Sequence, residues 1–424
     1  FGFVLIIFSI PFLWFNERRS VEVSRLINRG AAICQEAKPE IVESDLNGEL
    51  VHICGKIGNS KIIHDEDFGV TADNSVKLRR VVEVYQVQER SSSKTKKDQI
   101  GGGQTTTTTY GYDHVWSEVQ IDSSKFKDAR FKGMNSKVNF ICHNQTFVAE
   151  SVQLGHFKLN ESQKQRLNNY EAITLHSTIV NSFSRRMREL INKLNWGSPN
   201  IYVDGNCIYI RQSHSQTPQV GDIRVSFKRV PCDMVTIVAQ QSGSSFEPYD
   251  IRNRDFRLKS DSETARLLDE QNRNFCTSIS QGCDSCCWTC CCCFKCMDTV
   301  LAAPSTIDWI YAARMTKQEV FRAEAKQNEC LTITFRILGI IALSLGISML
   351  FEPVLALTSV VKIFADILGF GVLVVSFLIG IVVGLIVIAL AWIFYRPFLA
   401  LGLLVLAGAI WGLFYLMGDD EGKA

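Results

Sequence analysis

The sequence predicts a membrane protein of four transmembrane α-helices, one N-terminal and three C-terminal, joined to a large α+β, mainly β, soluble domain. Three observations predict it. An uncharged apolar run, Phe1–Phe15, ends abruptly in charge. Nearly everything after Leu331 is apolar, whereas residues 16–331 have ordinary polarity and contain several β-branched, strand-like segments. The 45 Lys+Arg against 43 Asp+Glu give no electrostatic reason to expect a nucleic-acid partner.

Residues 1–15 make the first predicted span. As a helix they rise about 22 Å, less than the ~30 Å hydrocarbon core, and Phe1 already lies inside the run, so a preceding N-terminal tail is expected. A signal peptide has an apolar region of similar length, but small residues follow it at the cleavage site. Here the flank is Trp14-Phe-Asn-Glu-Arg-Arg19, an interfacial aromatic followed by charge, which favours a span. Val21, Val23, Leu26, Ile27, Ala31 and Ile33 then recur at mixed helical spacing, a stalk helix stopped by Lys38-Pro39.

Residues 16–331 form the predicted soluble domain. Leu50–Cys54, Val81–Val87 and Val115–Ile121 read as strands of one sheet. Cys207–Ile210, Ile223–Phe227 and Met234–Ala239 form a second set, so a duplicated β-meander is expected. Between the sets, Ile179, Phe183, Met187, Leu190, Ile191 and Leu194 mark one face of an amphipathic helix. Arg90–Thr109 is polar, glycine-containing and aperiodic, and reads as a flexible loop between two strands. Thr316-Lys-Gln-Glu319 has the form of a capping box opening a helix toward the second span.

All 15 cysteines lie between Cys34 and Cys330, with a Cys-rich insert at 276–296. Its C-x2-C pairs Cys283/Cys286, Cys287/Cys290 and Cys293/Cys296 leave three readings open: disulfides in an oxidising lumen, a zinc site, or acylated thiols at a membrane surface. No cofactor is expected otherwise. Asn144-Gln-Thr and Asn160-Glu-Ser are glycan acceptor sequons, in keeping with a luminal domain, while Arg18, Arg19, Arg25 and Arg29 argue for the opposite orientation by the positive-inside rule.

The C-terminal region divides at its charges. Residues 332–351 form the second predicted span and 352–366 an interfacial connector. The third, 367–395, is 29 uncharged residues, about 43 Å of helix, so it tilts or projects. Arg396-Pro397 interrupts the run before the fourth, 398–417, and the tail 418–424. Arg336, Glu352, Lys362, Asp366 and Arg396 all fall at span ends, leaving no ionisable residue in mid-span such as a transporter or channel carries. Gly371, Ser376, Gly380 and Gly384 sit near helical spacing, which either permits close helix packing or is incidental.

Several strings, in order, resemble the transmembrane protein 43 (LUMA) family: Asn16-Glu17, Gly48–Gly55, Phe68-Gly-Val70, Val76–Arg80 leading to Tyr85-Gln86, Trp116-Ser-Glu118, Val220–Phe227, Val235–Gln240 and Trp392–Pro397. The resemblance covers nearly the whole chain. It implies four spans, both termini on the cytosolic or nucleoplasmic side, and a large domain in the lumen of the endoplasmic reticulum or nuclear envelope, including the inner nuclear membrane. It further implies self-association and a scaffolding role, with nuclear-envelope and endoplasmic-reticulum membrane proteins such as lamins and emerin as partners in animals. The cysteine cluster and the Ser/Thr/Gly segment look like insertions relative to that family.

The expected function is therefore a non-enzymatic scaffold acting through protein binding and membrane lipids. The alternative is a lipid- or metal-handling membrane protein using the domain–membrane junction and the cysteine cluster. An enzyme ranks third, because the seven histidines are scattered and neither a nucleophile motif nor a metalloprotease helix is present.

Overall fold

The computed structural model describes residues 1–59, 61–97, 104–215, 217–251, 301–353, 362–397 and 401–402. The cysteine insert 276–296, most of the connector 352–366, and 398–417 apart from Leu401 and Gly402 lie outside them.

Two seven-stranded sheets carry the soluble region. The first contains β1 (Gln35–Glu36), β2 (Leu50–Gly58), β8 (Gln153–Leu154), β9 (Phe157–Lys158), β15 (Ser245–Glu247), β14 (Met234–Ser242) and β18 (Trp309–Tyr311), and its pairings return on themselves because β2 also pairs β14. The second runs β11 (Asn200–Asp204), β12 (Cys207–Arg211), β13 (Ile223–Pro231), β5 (Ser75–Lys97), β6 (Gln104–Ser117), with β10 (Glu171–Ala172) added to β13 and β7 (Gln145–Val148) to β5. Two small ribbons, β3 (Ile63–Asp65) with β4 (Val70–Ala72) and β16 (Tyr249–Asp250) with β17 (Thr306–Ile307), complete it.

The two strand sets do not form separate meanders. β2 of the first set pairs β14 of the second, with Ile53 opposite Ile237, and β5 pairs β13, with Val82 opposite Val225. Burial explains the choice. On β13, Ile223, Val225 and Phe227 point into the main core while Arg224 and Lys228 alternate outward. β2 and β14 are covered on both faces: Val51, Ile53, Val235 and Ile237 enter the main core between the sheets, and Leu50 and Val238 enter a second core beneath the helices. Strands buried on both sides show no clean alternation.

The segment Arg90–Thr109 is not a loop throughout. Arg90–Lys97 continues β5 and Gln104–Thr109 begins β6, paired from Val84–Ser117 out to Lys97–Gln104. Threonine's branched Cβ suits an extended backbone, and the hydroxyls pair across the ribbon at Ser93–Thr108 (2.9 Å) and Thr95–Thr106 (3.0 Å). The amphipathic helix is shorter than its apolar spacing implies. A 3-10 stretch, Ser177–Ser182, precedes α3 (Arg185–Asn192), whose N-cap is Ser184 and whose buried side chains are Met187 and Ile191. The short α2 (Glu161–Arg166) lies between β9 and β10.

Two long helices reach from the soluble region. The first predicted span and the stalk form one helix, α1 (Gly2–Ile33, 32 residues), about 48 Å long. The capping box at Thr316 and Glu319 is present and opens α4 (Lys317–Leu350) as one helix of 34 residues. With α5 (Lys362–Tyr395) they pack as a three-helix bundle in which α4 is antiparallel to α1 and α5. Leu26 and Ile27 of α1 and Val320 and Phe321 of α4 cover the outer face of the first sheet. Gly30 is there because a Cβ would lie 2.5 Å from Ile307 Cδ1 and 3.1 Å from Phe321 Cε1.

Two helices among the described residues are long and apolar enough to cross a membrane, Lys317–Leu350 and Leu368–Tyr395. The apolar half of α1 falls short of that length but packs along both. Exposed apolar side chains, including Phe3 and Ile7 of α1, Ile337 and Ile341 of α4, and Leu373 and Leu378 of α5, belt the bundle.

Candidate functional site at the domain–membrane junction

Small residues set how closely the helices approach. On α4, a Cβ added to Gly339 would lie 2.5 Å from Leu13 Cδ2, and one added to Gly346 would lie 2.9 Å from the backbone oxygen of Gly2. On α5, Gly380 lies against Ser344 and Gly384 against Ile340, while Ser376 is buried. Gly371 meets nothing within 4 Å. Two of the four small residues singled out on this helix, Gly380 and Gly384, therefore serve close packing.

At the end of this close-packed section, where the bundle meets the soluble region, polar groups from all three helices converge. The Glu17 carboxylate, with its side chain fully buried, accepts from Arg336 Nε at 2.6 Å and Nη2 at 2.7 Å, a bidentate pair, and from Trp392 Nε1 at 2.8 Å. The Arg336 guanidinium also lies 5.5 Å from the centre of the Trp392 ring. One turn toward the membrane, Trp14 Nε1 donates to the Tyr395 hydroxyl at 2.9 Å. Beside Glu17, Asn16 Nδ2 donates to the Thr332 carbonyl, and toward the domain Arg396 Nη2 donates to Ser20 Oγ and Asn328 Nδ2 to the Ser20 carbonyl. Asn16 Oδ1 and Asn328 Oδ1 are buried without a hydrogen-bond partner among the described residues, a cost that a junction optimised for stability alone would avoid.

Arg336 and Arg396, both singled out as boundary charges in the sequence, meet in this polar cluster, but what they bind was not legible. A clue did exist: Glu17 and Arg336 are opposite charges that each flank a predicted apolar span. Asn328 carried no signal, since it reads as one polar residue on a polar helix.

The two sequon asparagines are not in this cluster. Asn144 Oδ1 accepts from the Val82 N–H at 2.7 Å and its Nδ2 donates to Glu118 at 2.6 Å. Asn160 caps α2 with a full capping box, Oδ1 accepting from Gln163 N at 2.8 Å and Nδ2 donating to the Phe246 carbonyl at 3.0 Å. Cys283, Cys286, Cys287, Cys290, Cys293 and Cys296 lie outside the described residues. Among the described residues no three His, Cys, Asp or Glu side chains gather as metal ligands, and Cys34, Cys54, Cys142, Cys207, Cys232 and Cys330 are unpaired thiols. Burial raises the Cys142 thiol to about 12 and those of Cys34 and Cys232 to about 11, so they pack as apolar groups.

A second feature flanks the junction, an open groove of about 480 Å³ lined by Glu36, Lys38, His52, Cys54, Arg314 and Glu319. His52 Nε2 donates to the Met315 carbonyl at 3.0 Å, and burial holds the imidazole below its ordinary pKa.

The strings that ordered the family resemblance meet in pairs in the fold. Gly48–Gly55 lies beside Val235–Gln240 as β2 and β14, Val220–Phe227 meets the β5 strings at both its ends, with Phe227 opposite Arg80 and Gly221 and Asp222 hydrogen-bonded to Tyr85, and Asn16-Glu17 touches Trp392–Pro397 in the polar cluster. The family profile described as Transmembrane protein 43 matches residues 84–397. The chain belongs to the transmembrane protein 43 family. The transmembrane protein 43 of Rattus norvegicus is 24% identical over 425 residues, covering 96% of this chain and 88% of that one. That of Homo sapiens is 23% identical over 94% of this chain and 85% of its own. The Drosophila melanogaster homologue of transmembrane protein 43 is 27% identical over 253 residues, 59% of this chain and 62% of its own. No solved structure matches.

Proposed function

We propose that this member of the transmembrane protein 43 family is a non-enzymatic, multi-pass scaffold of the endoplasmic reticulum and inner nuclear membrane. It acts by self-association and by binding other envelope and reticulum membrane proteins, with its β domain in the lumen. Its four spans are the apolar half of α1, the distal half of α4, α5 and residues 398–417. One observation carries the reading: α1 and α4 each run unbroken from the apolar belt into the second core of the domain, and the Glu17–Arg336–Trp392 cluster locks them to α5 at the boundary. Such a mount holds a binding surface at a fixed height and angle over the bilayer. The 14-residue β6 ends its sheet, and its outer edge is unpaired among the described strands, an edge onto which a second copy or a partner strand can add.

Light scattering of the full chain in mild detergent across a roughly twentyfold concentration range tests the assembly. A species larger than a monomer is expected, and a monomer throughout overturns it. Protease protection in sealed microsomes, with tags at Gly102 and the C-terminus, tests the orientation: the Gly102 tag is expected to be shielded and the C-terminal tag cleaved.

A further inference from the structure

On the face of α1 turned away from the polar cluster's acid lies a cavity of about 240 Å³, lined by Phe15, Arg18, Arg19, Glu22, Leu301, Ala302, Ala303 and Ser305. Its chemistry is graded. Phe15 stands on the side nearer the apolar belt, and the arginines, Glu22 and Ser305 supply the polar lining. Glu22 is already engaged by Arg18 Nε at 2.9 Å. Arg19 is different: its Nε and Nη2 are buried and have no hydrogen-bond partner among the described residues, and its guanidinium rests 5.7 Å from the centre of the Phe335 ring. Two buried guanidinium nitrogens with idle donors on a half-exposed arginine are an expensive arrangement unless an anion completes them. The contact with the Phe335 ring holds the guanidinium by its charge without using its N–H groups.

Depth identifies the anion. Arg19 follows Trp14 by five residues, about 7 Å along the helix, and Trp14 with Tyr395 forms an aromatic pair of the kind that sits at the membrane–water boundary. The group present in quantity at that depth is the phosphate of a phospholipid, whose oxygens suit a guanidinium fork. We propose that this cavity binds the phosphate of a phospholipid headgroup, with Arg19 as its principal ligand, Ser305 as a further donor and Phe15 against the glycerol end. The site requires the bundle to lie in a bilayer and is independent of whether the protein assembles.

The test is native mass spectrometry of the delipidated full chain in mild detergent, titrated with phosphatidic acid, with inorganic phosphate as a separate arm. Wild type is expected to retain one lipid, Arg19→Met to lower that occupancy at least tenfold, and Arg185→Met, at an exposed arginine of α3, to leave it unchanged. Because Arg19→Met could disturb the bundle, Ala302→Trp provides a second route: it fills the mouth from an exposed position and keeps Arg19, and the same loss is expected. Retention of the lipid by both Arg19→Met and Ala302→Trp overturns the site. If millimolar inorganic phosphate displaces the lipid from wild type, the cavity takes free phosphate and the lipid assignment is overturned.

Discussion

The pair at the centre of the junction is asymmetric, and the asymmetry can be measured. The Glu17 side chain has no solvent exposure, whereas Arg336 keeps 26% of its own. Two unit charges about 4 Å apart attract by about 4 kcal/mol at an effective dielectric near 20, and both desolvation costs oppose that attraction. Arg336→Met removes the charge that can reach water and strands a buried carboxylate with only the Trp392 N–H, a loss expected at about 3–5 kcal/mol. Glu17→Gln leaves Arg336 free to turn toward solvent or headgroups and keeps an acceptor for Trp392, with an expected loss of about 1–2 kcal/mol. The double variant, with no stranded charge, should be more stable than Arg336→Met alone, giving a coupling energy of about 2 kcal/mol. SDS titration in mixed micelles, followed by tryptophan fluorescence, reads the opening of the bundle, in which both Trp14 and Trp392 lie. Equal single losses that add to within about 0.5 kcal/mol would refute the bidentate, buried arrangement.

Four further outcomes follow from the geometry. Burial holds His52 below its ordinary pKa of 6.5, so as pH falls the unfolded chain takes up the proton first; stability is complete above that value and declines below it, and thermal unfolding of His52→Gln should lose this part of the pH dependence. Asn160→Ala removes the cap of α2 and the bond to Phe246, and should cost about 1 kcal/mol or somewhat more in denaturant titration. Gly380→Leu drives a side chain into the backbone of Ser344 and should separate α4 from α5, whereas Gly371→Leu, where nothing lies within 4 Å, should leave the SDS midpoint unchanged. Cys142, with its thiol raised to about 12, should resist iodoacetamide at about pH 8 in the folded protein and react on unfolding, while exposed Cys330 reacts first, as peptide mapping can follow.

Local features were legible where a short-range rule decides them. The capping box at Thr316 and Glu319 stands where its spacing puts it, and the alternation of Ile223, Val225 and Phe227 gave both the strand and its buried face. Composition misled at Arg90–Thr109, because serine, lysine and glycine dominate the impression while the β-branched Thr105–Thr109 decides the backbone. The helix after Ile179 was overextended because a 3-10 stretch and an α-helix present apolar groups at similar spacing over two turns.

By itself the sequence determined the division into an apolar helical part and a β-rich polar part and the positions of six of the longer strands, since hydropathy and residue preference act over a few residues at a time. Tertiary structure alone decided that the two strand sets interleave, that the first predicted span and the stalk are one helix, and that Glu17, Arg336 and Trp392 meet. Those outcomes depend on which surfaces, distant in sequence, exclude water together. Glu17 and Trp392 are far apart along the chain and 2.8 Å apart in the fold, a relation that no local pattern encodes.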